Sequence, residues 1–219
     1  LEVFEGLGGN DSIDGGEIND TLNAKDSNRV SYQNSMAAVD VNLGTNSATG
    51  TATGTDTLAN INQVRGSGNN DTLTGSDRMD LTEQFEGLGG NDLINGAGGF
   101  DIARYDNAIA PVFVNLDSGF VSGGAGNDTL SGIEGIRGSK FADTLTGGNA
   151  ASNTLEIFEG LAGNDTIDGG TGFDRVDYLL STTGVSVALG GAGNGTANDG
   201  YGTTDTLKNI EGIRGSAFN

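Results

Sequence analysis

The sequence predicts an all-β fold, a solenoid of short parallel strands of the β-roll or β-helix kind, and three observations carry that reading. The chain has 40 Gly against one Pro and only 34% apolar residues, too thin a supply for a conventional thick core. Its acids do not form blocks. Of 30 acidic residues 21 are Asp, spaced among Gly and Asn and followed at short intervals by Leu, Ile or Val. The chain also repeats itself at two periods, and a fixed period decides the architecture before any strand is assigned.

The longer period appears three times. FEGLGGND at Phe4–Asp11 returns at Phe85–Asp92 and, as FEGLAGND, at Phe158–Asp165, the last two 73 residues apart. The same step links Tyr32, Tyr105 and Tyr178, and the alternating runs VDVNL at Val39, VFVNL at Val112 and VSVAL at Val185. A further block follows in each copy: DTLANINQVRGS from Asp56, DTLSGIEGIRGS from Asp128 and DTLKNIEGIRGS from Asp205. The sequence therefore predicts one continuous solenoid over residues 1–219 with large repeats at about 4–84, 85–157 and 158–219. The VDVNL-like and IEGIRGS-like stretches read as strands that continue the same parallel stack. At ~18 residues a coil, each block makes about four coils. The last residues, GSAFN, stop where earlier copies run on into DTLTG, so the array is expected to belong to a longer protein.

The shorter period is nine residues, clearest in GGAGNDTLS at Gly123–Ser131, with tandem copies from Gly87 and Gly96 and from Gly160 and Gly169. Weaker copies start at Gly6, Gly15, Gly66, Gly75, Gly138 and Gly200. Glycines at such spacing allow positive φ, turn the chain tightly and bring successive carbonyls into one concavity. The sixth residue adds a carboxylate. The next three alternate polar and apolar as a very short strand with its apolar residue inward. Stacked coils about 4.8 Å apart let oxygens of neighbouring turns share one ion. Oxygen ligands in that number suit Ca²⁺, whereas Mg²⁺ demands a smaller, near-octahedral site and keeps its waters. The candidate ligand positions are Gly6, Gly9 and Asp11; Gly66 and Asp71; Gly87, Gly90 and Asp92; Gly96, Gly99 and Asp101; Gly123, Gly126 and Asp128; Asp143; Gly160, Gly163 and Asp165; Gly169, Gly172 and Asp174; and Asp205. Asp14, Asp26, Asp117 and Asp177 fall outside the sixth position and read as turn residues that satisfy local backbone. Ile13, Leu73, Ile94, Leu130, Leu145, Ile167, Val176 and Leu207 are assigned to the stacked core.

The nine-residue unit resembles the G-G-x-G-x-D-x-U-x repeat of the RTX family, the hemolysin-type calcium-binding proteins exported by type I secretion. The match at Gly123 is complete, while Leu7, Leu88 and Leu161 stand where the second glycine belongs. The resemblance implies a calcium-stabilised β-roll that stays unfolded in the low-calcium cytoplasm and folds after secretion, with an extracellular or cell-surface location. In the family such segments accompany proteases, lipases, alginate epimerases and pore-forming toxins.

Composition excludes several other functions. A net charge of −20 repels nucleic acid, whose binding rests on clustered Lys and Arg. With neither Cys nor His, disulfides and the usual N/S zinc or copper sites are absent. No run of about 18 apolar residues suggests a transmembrane segment. No residue breaks the repeat to form a unique catalytic constellation, so the chain is expected not to be an enzyme. A structural and secretion module is the leading function, and the alternative is an adhesin or lectin-like module that binds polysaccharide or a cell surface. Arg65, Arg137 and Arg214 recur in register and read either as a cationic ladder for an acidic ligand or as structural ion pairs to an acid such as Glu134 or Glu211. The three tyrosines read either as sugar platforms or as packing. Unpaired strand edges at the ends leave end-to-end self-association open.

Overall fold

The computed structural model describes residues 1–18, 27–149, 154–191 and 194–218. Its regular structure is all strand, with no helix among the described residues, and so no helix there is long and apolar enough to cross a membrane. The chain forms two compact units, one of Leu1–Arg104 with Gly126–Ile133 and one of Tyr105–Ala125 with Glu134–Asn219.

In chain order the first unit holds β1 (Glu2–Glu5), β2 (Ser12–Asp14), β3 (Asn28–Ser31), β4 (Val39–Asn42), β5 (Ser47–Gly50), β6 (Gly54–Ala59), β7 (Gln63–Arg65), β8 (Thr72–Thr74), β9 (Thr82–Glu86), β10 (Leu93–Asn95), β11 (Phe100–Arg104) and β14 (Thr129–Ser131). Two sheets result. In the first, β1-β3-β7-β9-β11 hydrogen-bond in that order and every pair is parallel. In the second the order is β2-β6-β5-β4-β8-β10-β14.

The second unit holds β12 (Val112–Asn115), β13 (Phe120–Gly123), β15 (Gly135–Arg137), β16 (Thr144–Thr146), β17 (Leu155–Glu159), β18 (Thr166–Asp168), β19 (Phe173–Asp177), β20 (Ser186–Ala188), β21 (Gly195–Asn198), β22 (Thr204–Lys208) and β23 (Gly212–Arg214). It is built the same way. Its parallel sheet runs β15-β17-β19-β23 and its other sheet runs β13-β12-β16-β18-β22-β21-β20.

Most strands are three to five residues long because only one or two side chains per strand need to reach the interior. In the second sheets Val41, Leu73, Ile94 and Leu130 stand in register in one unit, and Val114, Leu145, Ile167 and Leu207 in the other. In the first sheets Val30, Val64 and Phe85 form one ladder and Ile136, Phe158 and Val176 another. All of these side chains are buried. Of the residues the sequence assigns to the core, Ile13 alone is only half-buried.

The VDVNL-like runs differ from expectation. β4 and β12 do pair in parallel with β8 and β16, but each is followed by an antiparallel return strand, as are β20 and β21. Turn chemistry is the reason. Asn42 Oδ1 accepts the Thr45 N–H and Asn115 Oδ1 the Ser118 N–H, both at 2.8 Å, and a left-handed residue follows at Asn46 (φ 56°) and Gly119 (φ 66°). Such side-chain-closed turns reverse the chain. The first large repeat thus places three strands in one sheet (β1, β3, β7) and five in the other (β2, β4, β5, β6, β8). It makes three circuits and a hairpin, not four coils.

Candidate metal centre

Each circuit crosses from the first sheet to the second through a forward turn and comes back through a return turn. The forward turns are residues 6–11, 66–71 and 87–92 in one unit and 138–143 and 160–165 in the other. Their sixth-position aspartates form ladders. The Asp71 N–H donates to Asp92 Oδ1 (2.8 Å) and the Asp92 N–H to Asp128 Oδ1 (3.0 Å). In the second unit the Asp143 N–H donates to Asp165 Oδ1 (2.8 Å) and the Asp165 N–H to Asp205 Oδ1 (3.1 Å). The hairpins cap both ladders, since the Val39 and Val112 N–H groups donate to Asp71 and Asp143 at 2.8 Å.

The first glycine of each turn is needed for space. A Cβ on Gly87 would lie 2.0 Å from Asp92 Oδ2, and one on Gly160 2.3 Å from Asp165 Oδ2. The carboxylates fold back against their own turns and leave water. Asp71, Asp92, Asp128, Asp143, Asp165 and Asp205 are all buried, and among them Asp92 Oδ2 and Asp165 Oδ2 have no hydrogen-bond partner. Burial, reinforced by the neighbouring Asp128 and Asp71, pushes the Asp92 carboxyl up to about 7. Burial with Asp205, Asp143 and Asp199 nearby pushes Asp165 to about 8, and burial raises Asp205 to about 6. A buried, unpaired anion is costly and rare unless something neutralises it. Stacked carboxylate oxygens without a protein cation fit a bound divalent ion.

The return turns make a second column. In residues 96–101 and 169–174 Asp101 and Asp174 are buried, and both carboxylate oxygens of Asp174 lack a partner. Burial, then the charges of Glu156 and Glu211, pushes Asp174 up to about 7. Glutamates complete this column where the nine-residue pattern fails. Glu83 is in register with Asp101 and Glu156 with Asp174, both glutamates are buried and burial raises both. Sequence reasoning missed them because they follow Gly75 and Gly147 by eight and nine residues, whereas the motif places its Asp five after the first glycine. It also missed Asp56, although the DTL of the third block places it with Asp128 and Asp205; Asp56 Oδ1 accepts the Asp11 N–H at 2.9 Å.

The remaining sequence candidates divide. Asp11 and Gly123 are exposed, and Gly123 ends a hairpin strand, so the best sequence match is not a sheet-to-sheet turn. Gly126 still packs on Gly90. Gly6, Gly66, Gly96 and Gly169 are buried at the starts of their turns, and Gly9, Gly90, Gly99, Gly163 and Gly172 take positive φ at the fourth position. Asp14 caps its own turn through the Gly16 N–H (2.9 Å), Asp117 accepts from Asn149 and Asp177 pairs with Arg175; Asp26 lies outside the described residues. Among the described residues no three acidic side chains converge on one point, so backbone carbonyls would have to supply most ligands, as calcium tolerates and magnesium does not.

The recurrent arginines are ion-paired, as the structural reading expects. Arg65 binds Glu86 (2.7 Å), Arg137 binds Glu159, and Arg214 lies 3.9 Å from Asp177. Each arginine meets its register partner on a neighbouring coil. The tyrosines are buried. Tyr32 donates to Asp56 Oδ2 (2.9 Å) and Tyr178 to Asp205 Oδ2 (3.0 Å), and burial together with those carboxylates raises both phenols. Tyr178→Phe is expected to leave an acceptor unpaired and to cost about 1–3 kcal/mol in calcium-saturated thermal melts; an unchanged melting temperature would show that the bond adds nothing.

No curated protein matches the chain. A family model for the RTX calcium-binding nonapeptide repeat matches four times, at residues 2–28, 84–103, 117–135 and 157–176. The second and fourth matches each span one forward and one return turn with their buried aspartates, and the family binds calcium. By these four matches, set in parallel stacked sheets, the chain carries RTX calcium-binding nonapeptide repeats.

Proposed function

We propose that the chain is a calcium-dependent structural module of a secreted protein, which folds when export brings it into extracellular calcium and has no catalytic activity of its own. The observation that carries this reading is the pair of buried carboxylate oxygens, Asp92 Oδ2 and Asp165 Oδ2, that no protein group satisfies. Calcium between neighbouring turns would neutralise them. Because the unfolded chain has no preformed site, binding and folding are one process. Low affinity suits the role, since extracellular modules bind with Kd of about 10⁻⁴–10⁻³ M, far above cytoplasmic calcium. The recurrent arginines are paired and the recurrent tyrosines Tyr32, Tyr105 and Tyr178 are buried, so neither set supports the lectin-like alternative.

The test is far-ultraviolet circular dichroism during a calcium titration of chelator-treated protein, with magnesium as control. The expected result is a cooperative change from a disordered to a β spectrum at submillimolar to millimolar calcium and no change with magnesium. A β spectrum indifferent to calcium, in protein shown to be metal-free, would overturn the proposal.

A further inference from the structure

The forward turns whose sixth-position aspartate is buried are of two kinds, and the difference lies at the second residue. In 66–71 and 138–143 it is serine. The Ser67 N–H donates to Asp71 Oδ2 and its hydroxyl to Asp71 Oδ1 (2.8 Å). Ser139 repeats both contacts on Asp143, the hydroxyl at 2.7 Å. Each serine oxygen also accepts the N–H of the fourth residue, Asn69 at 3.0 Å and Phe141 at 3.1 Å. Both serines are fully buried, and no residue in either turn has positive φ. With the hairpin N–H groups of Val39 and Val112 added, both oxygens of Asp71 and of Asp143 are satisfied by protein alone.

In 87–92 and 160–165 the second residue is leucine, which has nothing to donate. Leu88 (φ 75°) and Leu161 (φ 69°) are held in the left-handed region together with Gly90 and Gly163, a conformation that a bulky residue keeps only when its surroundings over-determine it. Here Asp92 Oδ2 and Asp165 Oδ2 are the unpartnered oxygens. The return turn 169–174 shares the geometry, with Gly170 (φ 82°) and Gly172 (φ 142°) left-handed and Asp174 bare.

Resting on the calcium reading above, we infer that only the left-handed turns hold calcium, with Asp92, Asp165 and Asp174 among the ligands, and that Ser67 and Ser139 replace the ion in metal-free turns closed by Asp71 and Asp143. The placement has a physical reason. A shared ion needs a glycine turn on both neighbouring coils. On the side of Asp71 and Asp143 away from Asp92 and Asp165, the neighbouring segments run through Tyr32–Ala38 and Tyr105–Pro111, which contain no glycine. A latch made of one serine closes the ladder where the site would be half-built. Nonapeptide count therefore overstates calcium capacity.

The experiment counts bound calcium per folded chain by equilibrium dialysis, for the whole chain and for single variants, with folding checked by circular dichroism. Asp71→Asn and Asp143→Asn are expected to leave the count unchanged, whereas Asp92→Asn, Asp165→Asn and Asp174→Asn lower it. A loss in Asp143→Asn or Asp71→Asn like that in Asp165→Asn overturns the inference while leaving the calcium reading intact. A parent chain that binds no calcium sinks both. Should the asparagine variants fail to fold, Ser67→Ala and Ser139→Ala decide: the inference requires a lower melting temperature in saturating calcium with an unchanged ion count. An unchanged melting temperature or a lost ion overturns it.

Discussion

Freed of calcium by excess chelator, the chain is expected to lose its fold near pH 8 and to recover it as the pH falls towards 5. The cause is the set of carboxyls raised by burial: Asp92 to about 7, Asp165 to about 8, Asp174 to about 7, against 3.8 in the unfolded chain. Between 3.8 and these values the folded state holds more protons than the unfolded state, so stability falls as pH rises. The stability is fully present below about 4 and is lost as the pH passes through about 7 to 8. A shift of three units corresponds to about 4 kcal/mol. The groups share neighbours and their effects do not simply add, yet even two of them rival the 5–15 kcal/mol, roughly, that holds a domain together. Protons and calcium thus do the same work at these oxygens, and in saturating calcium the dependence reverses, because acid displaces the metal. Thermal melts in chelator across pH 5–8 check the sign, and a melting temperature that is flat or rises over that range would refute it.

Gly126→Ala is expected to be the most damaging single methyl in the chain. Gly126 has φ 114°, where an L side chain is strained, and its Cβ would stand 1.6 Å from the Gly90 carbonyl oxygen of the neighbouring turn. Strain of this kind costs about 1–3 kcal/mol. The overlap adds to it by forcing the two turns apart, which also pulls Asp128 Oδ1 from the Asp92 N–H. A loss of more than about 3 kcal/mol, with weaker calcium binding, should follow in calcium-dependent denaturation. Gly89→Ala, one residue from Gly90, is the control. It has ordinary φ and open space, so it should be neutral to slightly stabilising. Equal effects from the two substitutions would mean that the turns are not stacked in this register.

The glycine and aspartate spacing, the short apolar strands and the absence of Cys and His were enough to determine a stacked β architecture, an oxygen-ligand metal and most of the buried apolar ladders. Those features are local, since a six-residue turn and a three-residue strand interact mainly with an identical copy one coil away. The sequence could not tell which aspartates lack a partner. Asp71 and Asp92 occupy the same position of the same motif, but the Ser67 N–H closes Asp71 Oδ2 while Asp92 Oδ2 stays bare, and that difference follows from the backbone each turn adopts at its second residue, Ser67 or the left-handed Leu88. The hairpins depend on Asn42 and Asn115 closing turns inside runs that look like plain strands. Glu83 and Glu156 enter the return column only because the strands that carry them stand in register with Asp101 and Asp174. Periodicity determined what stacks, and the tertiary structure decided which charges that stacking leaves without a partner, because burial comes from neighbouring coils and the donors come partly from those coils and partly from the backbone conformation of each turn.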